Sequence, residues 1–541
     1  MYVKGVNNML NTIFISSIVI ILSIISTKFS SKLKIPNLLL FIGLGMFFGE
    51  DGIVRIPFDN FELAKDICAT ALIFIMFYGG FNTNWKTAKP VFVKAFLLSS
   101  VGVFLTTLLV GVFSYLVLKI SFLESLLIGA IISSTDAASV FAILKTKKLA
   151  LKNQIAPLLE LESGSNDPSA YMLTIIILEL IKGANNYQVY FLMIVSQFIV
   201  GTLVALGLAY LTLKLYRFDN LKANGLEVIY FVGMILFAFA IAEKLGGNGY
   251  LCIYIFGIII GNQHLKNKLV IINFFDGLTG LIQICIFFLL GLLALPSQMP
   301  TILLTALIIA SFLTLVARPL TVLVLLKPFK YTYKEMLLIS FAGIRGASAI
   351  VFAIYAAVSF ANLNNDVFHI IFVIVLLSIG IQGSLLPTVA KKLNLIDEDG
   401  DILKSFTAYQ EEHDVQLVRF TIKDGHPWLN LKIKDINLPP QMLIVTIIKD
   451  NNPIIPNGET TIKVNDIVLI TAPGEKEAID IDVNEISINS QHEWKNKKIR
   501  DIKTASNCLI AIIKRDDSVI IPNGKTMILE NDQVVIINKY Q

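Results

Sequence analysis

The chain has 541 residues, of which 55% are hydrophobic and 16% are charged, and its formal net charge is +5. Soluble proteins carry about 25% charged residues, so this composition excludes a wholly soluble protein. The shortage of charge falls on residues 1–391, whereas residues 392–541 have the composition and length of about one soluble domain.

Thirteen apolar runs in residues 1–391 are long enough, or nearly so, to cross the ~30 Å hydrocarbon layer of a bilayer as helices. They cover residues 9–28, 35–50, 62–81, 91–118, 122–145, 153–181, 188–214, 225–243, 248–263, 270–295, 300–326, 334–358 and 367–390. No small-residue cleavage site follows the first run, so we expect it to be retained as a span. The sequence thus predicts an all-α polytopic membrane domain.

Every second loop between these runs is rich in lysine and arginine. The basic loops lie at residues 28–34, 86–89, 145–152, 214–222, 266–268, 327–334 and 391–392, and the loops between them carry at most one basic residue each. Because basic loops stay in the cytoplasm, we expect an external N-terminus, a cytoplasmic C-terminal tail and a location in the cell membrane.

The fifth run is interrupted by a polar string, Ser133-Ser134-Thr135-Asp136, with Ser139 close behind. Such side chains compete with a helix for its own backbone groups, so the string predicts a broken helix facing protein or water. Hydrogen bonding between neighbouring helices is an alternative that explains the hydroxyls but leaves Asp136 unexplained. A buried charge is costly, and therefore indicates an ion or proton path.

The sixth run carries two pairs of polar residues on one helical face, because Glu162 and Asn166 are four apart, as are Ser163 and Asp167. Pro168 removes a backbone donor and frees a carbonyl one turn back. With an oxygen from Thr135, Ser163 and Asp167 form a candidate all-oxygen site for an alkali cation, in which Asp167 holds either a proton or the cation. The alternative is a purely structural ion pair of Asp167 with Arg345.

The twelfth run has Arg345 within a Gly343–Ser348 string, and this arginine needs an anion or water. We expect Glu162 to be its partner. The fifth and twelfth runs are seven apart, so they cross the membrane in opposite directions, and both are interrupted. Inverted-repeat transporters have two such discontinuous helices, which cross near the bilayer midplane.

The tail contains a duplication of about 60 residues, predicted at 413–473 and 482–541 after a linker at 392–412. His426-Pro427-Trp428 and His492-Glu493-Trp494 are 66 residues apart. Lys449 best matches Lys514, which implies one residue of slippage. Asn-Gly at 457–458 and 523–524 predicts hairpin turns in small β-rich α+β units.

Thr135-Asp136-Ala137-Ala138-Ser139, Glu160 to Pro168 and Gly343 to Ala347 together resemble the CPA1 class of monovalent cation/proton antiporters, especially its NhaP branch, over residues 9–391. The resemblance implies a core domain with the crossed helices and a separate dimerisation domain. It makes Asp167 the exchanging carboxylate, Asn166 its neighbour, Ser163 and Thr135 cation ligands, and Glu162–Arg345 a structural ion pair.

Asp136 is included in the predicted ion and proton exchange site as a second acid beside Asp167. The Asn-Asp order at 166–167 looks like the electroneutral branch of the class. No resident cofactor or catalytic residue is predicted, since K⁺ or Na⁺ and H⁺ are the transported ions.

The tail units resemble tandem RCK-type C-terminal (TrkA-C) domains without the dinucleotide-binding half. The resemblance implies homodimerisation through membrane part and tail, and a small regulatory ligand such as cyclic di-AMP; a purely assembling tail is the alternative. Such tails accompany potassium/proton exchange, which favours K⁺, although Thr135, Ser163 and Asp167 do not distinguish K⁺ from Na⁺. The lipid bilayer is the other expected partner, and no nucleic acid is expected.

Two other classes fit the sequence less well. A potassium channel needs a filter such as Thr-Val-Gly-Tyr-Gly, which the sequence lacks. An intramembrane enzyme needs a nucleophile–base pair or a metal motif such as His-Glu-x-x-His, and neither is visible. A Na⁺/H⁺ antiporter of the same fold and, less favoured, a tail-gated cation channel remain the alternatives.

Overall fold

The computed structural model describes all residues except 1, 34–35, 148, 184–186, 219–225, 264, 266–267, 360–364, 398–414, 440–441, 450–451, 455, 474–480, 490–491, 503–507, 516–517, 521 and 540–541. The chain divides into two units, Met1–Glu412, which is helical, and His413–Gln541, which is built from strands. Residues 398–412 of the expected linker lie outside the described residues.

The described part of the first unit contains fifteen helices. They are α1 Tyr2–Leu33, α2 Asn37–Phe48, α3 Phe61–Asn82, α4 Trp85–Leu118, α5 Phe122–Ser133, α6 Ala137–Thr146, α7 Ile155–Ile181, α8 Tyr187–Phe218, α9 Leu226–Lys244, α10 Gly249–Gly261, α11 Lys268–Leu293, α12 Pro296–Phe329, α13 Tyr333–Phe341, α14 Ala347–Ser359 and α15 Val367–Lys392. Six of them, α4, α8, α9, α11, α12 and α15, contain segments long and apolar enough to cross a membrane. Counting α5–α6 and α13–α14 as one interrupted span each gives thirteen, which confirms the predicted polytopic all-α fold.

Both interruptions fall where the polar strings lie. The first break separates Ser133 from Ala137, and the second separates Phe341 from Ala347. The two breaks meet directly, because the Asp136 N–H donates to the Ile344 carbonyl at 2.7 Å. The predicted crossing of two discontinuous helices is therefore made by a backbone hydrogen bond.

Glycines bring several helix pairs into backbone contact, and we call two of these contacts, α2–α11 and α3–α10, the glycine seams. Between α2 and α11, a Cβ added at Gly45 would lie 2.2 Å from the Phe288 carbonyl oxygen. Between α3 and α10, a Cβ added at Gly80 would lie 2.3 Å from the Tyr254 carbonyl oxygen. Small residues allow this close approach of membrane helices, so no larger side chain fits at either position.

A two-stranded sheet ties the loop before α7 to the end of the helical unit. Strand β1, Ala150–Leu151, pairs antiparallel with β2, Ile396–Asp397, and the Lys152 N–H extends the pairing to the Leu395 carbonyl at 3.0 Å. We call this contact the clasp. It joins the residues leading into α7 to those leading out of α15.

The second unit contains two sheets of identical topology. The first comprises β3 Val415–Thr421, β4 Leu443–Lys449, β5 Asn452–Ile454 and β6 Ile467–Pro473, and the second comprises β7 Ile481–Ser487, β8 Cys508–Arg515, β9 Ser518–Ile520 and β10 Gln533–Lys539. Their antiparallel orders are β3-β6-β4-β5 and β7-β10-β8-β9, and each sheet covers its own apolar core.

The strand registers correct the expected slippage between the repeats. Ile448 pairs with Ile467, and Lys514 pairs with Gln533, so the offset of 66 residues is maintained on both strands. Lys449 is therefore the equivalent of Arg515, and the expected match to Lys514 is wrong. The sequence suggested Lys514 because it is the same residue type as Lys449, whereas the strand register aligns Lys449 with Arg515.

The equivalent basic residues hold equivalent aspartates with different geometry. Arg515 donates from Nε and Nη2 to the two carboxylate oxygens of buried Asp532, both at 2.8 Å. Burial opposes ionisation of Asp532, but the Arg515 guanidinium and the Leu529 N–H outweigh it and lower the pKa of this carboxyl. In the first repeat, Lys449 Nζ is 3.5 Å from Asp466.

We expect Arg515→Ala to destabilise the second repeat of a tail fragment, residues 413–541, by about 3 kcal/mol, since it leaves Asp532 buried and unpaired. The equivalent Lys449→Ala is the matched comparison and should cost less than Arg515→Ala, because a single 3.5 Å contact holds the likewise buried Asp466 more weakly than two hydrogen bonds at 2.8 Å hold Asp532. Urea unfolding followed by fluorescence measures both, because Trp428 and Trp494 lie in separate repeats.

The folded-state pKa of Asp532 is lowered, so its stabilisation is present at neutral pH. This stabilisation is lost as the pH falls from the ordinary pKa of an aspartate, ~3.9, through the lower pKa of Asp532 in the folded protein. The difference between Arg515→Ala and the wild type should shrink over that range. Equal destabilisation by the two variants at neutral pH would contradict this account of the pair.

Candidate functional site

The first helix break is held by one face of α7. Breaking a helix leaves backbone groups without their usual partners. Asn166 satisfies one of these backbone groups, because its Oδ1 accepts from the Thr135 N–H at 3.3 Å, and its Nδ2 also donates to the side-chain Oγ1 of Thr135 at 2.6 Å. Ser163 Oγ donates to the Thr135 carbonyl at 2.7 Å. The structure thus brings together three of the residues proposed for the site, with Asn166 and Ser163 holding Thr135 in place.

Asp167 lies one turn further along the same face and is 8% exposed. It accepts a hydrogen bond from Ser134 Oγ, which is itself 2.6 Å from Ser348 Oγ of α14. Among the described residues, no basic side chain forms an ion pair with Asp167, so the alternative of a structural Asp167–Arg345 pair is contradicted. Hydroxyl oxygens from both interrupted spans surround this carboxylate instead.

Ser134 and Ser348 are site residues that the sequence reasoning did not assign. Both belong to the polar strings that marked the helix breaks, so a signal was present. It was not sufficient, because only the crossing of the two breaks shows which hydroxyls face Asp167.

Asp136 has a local role in the structure. Its carboxylate accepts from the Ser139 N–H at 3.1 Å and from Ser139 Oγ at 2.5 Å, which caps the start of α6. A Cβ added at Gly346 would lie 2.0 Å from Asp136 Oδ2, so only glycine fits opposite this carboxylate. Asp136 is also an electrostatic neighbour of Asp167. Its place in the exchange site stays a proposal.

The structure gives Glu162 a partner other than the expected Arg345. Arg318 Nη2 contacts Glu162 Oε1 at 2.5 Å, and these side chains are 4% and 1% exposed. Arg318 follows a π-helical turn of α12, Leu313–Ala317, and such turns change the direction in which following residues face. An arginine inside an apolar run was a signal that the sequence reasoning missed.

Arg345 instead neutralises the end of α5. Its Nη1 donates to the Ser133 and Ser134 carbonyls at 2.8 and 2.7 Å. These carbonyls lie at the negative end of the helix dipole, so a cation there is stabilised without a carboxylate partner. The Arg345 N–H donates to Ser378 Oγ at 2.9 Å, within a second π-helical turn, Ser378–Gly383 of α15.

The charges around the break therefore divide into two groups. Glu162 and Arg318 compensate each other, and Arg345 faces helix carbonyls. Asp167 is left as a buried carboxylate among oxygens, an environment in which a hard cation or a proton supplies the missing positive charge.

Comparison with known proteins identifies the families that the chain matches. The model of the transmembrane sodium/hydrogen exchanger family matches residues 17–392, and that of the TrkA-C domain matches residues 417–478 and 483–539. The K(+)/H(+) antiporter NhaP of Alkalimonas amylolytica is 34% identical over 464 residues, covering 85% of this chain and 80% of the relative.

Two further comparisons concern the ion and the fold. The Na(+)/H(+) antiporter ApNhaP of Aphanothece halophytica is 26% identical over 393 residues, covering 69% of this chain and 72% of the relative. The sodium proton antiporter MjNhaP1 of Methanocaldococcus jannaschii, solved at pH 8, is 24% identical with a TM-score of 0.62, covering 71% of this chain and 99% of that one. The last comparison shows the fold alone.

A double-mutant cycle tests the new partner of Glu162. We expect Glu162→Gln and Arg318→Gln each to destabilise the purified protein strongly, by about 3–5 kcal/mol, because each leaves a buried charge unpaired. The double variant should lose about 1–3 kcal/mol less than the sum. Unfolding in mixed detergent–SDS micelles measures these values.

Glu162→Gln combined with Arg345→Gln is the control cycle for this pair. We expect weaker coupling there than between Glu162 and Arg318, since Arg345 interacts electrostatically with Glu162 but donates its hydrogen bonds to carbonyl groups. Stronger coupling of Glu162 to Arg345 than to Arg318 would restore the pair expected from sequence.

Proposed function

Because the chain belongs to the sodium/hydrogen exchanger family, we propose that it exchanges potassium ions for protons, with Asp167 binding the proton and the cation in turn. The chain is a multi-pass membrane protein and a monovalent cation/proton antiporter of the CPA1 class. The observation that carries the proposed site is the position of Asp167, which is buried among hydroxyl oxygens from both interrupted helices and has no basic partner in the described part of the chain.

The geometry gives each neighbour of Asp167 a task. Ser134 donates to the ionised or neutral carboxyl, and its hydroxyl can rotate to offer a lone pair when a cation arrives. Ser163 of α7 contacts Thr135 of the first helix break, and their oxygens complete the proposed cation shell. Asn166 keeps Thr135 in place, which makes it a positioning residue for the shell.

Competition at one carboxylate sets the proposed stoichiometry. A buried carboxylate is stable when it is protonated or paired with a cation, but not when it is bare. The protein therefore reorients with either one proton or one monovalent cation at Asp167, and the exchange is electroneutral. Glu162 and Arg318 already neutralise each other and take no part in the count.

We propose potassium as the main cation because the relatives that are more than 30% identical are named as K(+)/H(+) antiporters. Sodium is the second candidate, since the relative from Aphanothece halophytica is named for sodium. Hydroxyl and carboxylate oxygens bind both ions, so the choice depends on cavity size and on the number of ligands.

The proposed orientation places the N-terminus outside and the tail in the cytoplasm, because the basic loops fall on one side of the thirteen spans. We further propose a homodimer in the lipid bilayer, which rests on the resemblance to the family. A small ligand such as cyclic di-AMP on the TrkA-C repeats is part of the same proposal.

The clasp supports regulation by the tail. Strand β2 stands at the start of the segment that leads to the tail, and it pairs with the residues that lead into α7. In addition, Asn153 Nδ2 donates to Glu335 Oε1 at 2.7 Å, which links this loop to the start of α13. A pull on β2 therefore acts on α7 and, through Glu335, on α13, the first half of the second interrupted span.

Asp167→Asn tests the exchange site, because it removes the titrating group but keeps the size of the side chain. We expect cation-driven proton movement in proteoliposomes to be abolished, while the protein remains folded by gel filtration. Asp66→Asn is the matched control, since Asp66 is an exposed residue of α3 whose carboxylate lies 3.5 Å from the Lys65 ammonium. Normal exchange by Asp167→Asn would show that the site is elsewhere.

Ion preference and tail regulation are tested in one assay, with K⁺, Rb⁺ and Na⁺ compared across pH in proteoliposomes. We expect K⁺ and Rb⁺ to drive more proton movement than Na⁺, and removal of residues 400–541 to change the rate without changing this order. Faster exchange with Na⁺ would favour the second candidate. Voltage-driven flux without proton coupling would indicate a channel.

A further inference from the structure

Glu160 is a carboxylic acid on α7 that is not part of the exchange site described above. It lies on α7 seven residues before Asp167, which places the two carboxylates on one side of the helix, about 10 Å apart along its axis. Glu160 is half-buried and Asp167 is 8% exposed, and Glu160 lies nearer the start of α7, which follows the basic loop that we assign to the cytoplasm. Within the described residues, no basic side chain pairs with it.

The gap between the two acids is filled by a phenol. Gly164 has no side chain, and a Cβ there would lie 2.2 Å from Cε2 of Tyr254 and 2.5 Å from its Oη. The Tyr254 ring therefore rests on α7 at the level between Glu160 and Asp167. Tyr254 interacts electrostatically with both carboxylates.

Tyr254 Oη is a polar atom without a proper partner. The residue is 2% exposed, and its hydroxyl lies near Thr83 and Ser165 but completes no hydrogen bond of normal geometry with a described residue. A buried hydroxyl without a partner is unfavourable, and it needs an explanation in a folded protein. A hydroxyl that gains its partners during transport is such an explanation.

Other polar groups line the approach to Glu160. The side chain of Thr83 lies beside both Glu160 and Tyr254. Its neighbours Asn82 and Asn84, at the junction of α3 and α4, are 8% and 3% exposed. Through Thr83, this buried polar junction lies beside Glu160 near the beginning of α7, which follows the basic loop at residues 145–152.

We propose that Glu160 is a proton relay between the cytoplasm and Asp167, with Tyr254 as the intermediate group; this inference rests on the proposed function of Asp167. Cytoplasmic water protonates Glu160. The Glu160 carboxyl then gives its proton to the phenol oxygen as the phenol passes its own proton toward Asp167. Glu160 ends ionised, Tyr254 unchanged and Asp167 neutral, and the cation leaves.

A relay for protons is separable from a site for cations, because exchange of one cation for another needs no proton. In proteoliposomes containing the full chain, we expect Glu160→Gln to slow K⁺/H⁺ exchange roughly tenfold or more. Tracer Rb⁺/Rb⁺ self-exchange should stay at the wild-type rate. Tyr254→Phe keeps the ring against Gly164 and removes only the hydroxyl, so it should show the same split.

Glu179→Gln is the matched control, with the same substitution on the same helix at a carboxylate 2.6 Å from Lys182 Nζ, and it should leave both rates unchanged. Glu160→Asp should recover part of the K⁺/H⁺ exchange. Equal slowing of both exchanges by Glu160→Gln, or no slowing of either, would overturn the relay. Self-exchange that survives Asp167→Asn would instead overturn the proposed function.

Discussion

The constraint on which this structure depends is the satisfaction of backbone groups at two helix breaks inside a membrane domain. An unpaired N–H or carbonyl in hydrocarbon costs several kcal/mol, so a broken helix persists there only if protein groups replace the missing bonds. The backbone bond between Asp136 and Ile344 makes each break a partner of the other. Asn166 and Arg345 then form hydrogen bonds with backbone groups of the first break that this bond does not satisfy.

This division of labour explains why so many polar side chains surround one functional carboxylate. The Asn166 side-chain carbonyl, the Ser163 hydroxyl and the Arg345 guanidinium bind backbone groups of the first break, and Glu162 is paired with Arg318. Asp167 differs from all of them because the described residues around it supply oxygen atoms and no compensating positive charge. The same helix face that builds the break therefore presents the group that the break does not neutralise.

Much of this could be predicted from the sequence, because the signals are local. Apolar run length and basic loops gave thirteen spans, and the polar strings located both breaks. Spacing on α7 brought Ser163, Asn166 and Asp167 to one face. The partner of Glu162 could not be predicted in this way, since Arg318 comes from another helix after a π-helical turn. The Ser134–Ser348 contact likewise depends on how two distant segments cross.

The glycine seams restrict the motions available to the helical unit. At Gly45 and Gly80 the facing backbones touch, so sliding one helix along the other would drive carbonyl oxygens into the neighbouring main chain. Interfaces filled by long side chains can shear by exchanging rotamers, but a backbone contact has no rotamers to exchange. Each of the pairs α2–α11 and α3–α10 thus moves as one rigid unit. Displacement of one helix relative to another is confined to interfaces packed by larger side chains.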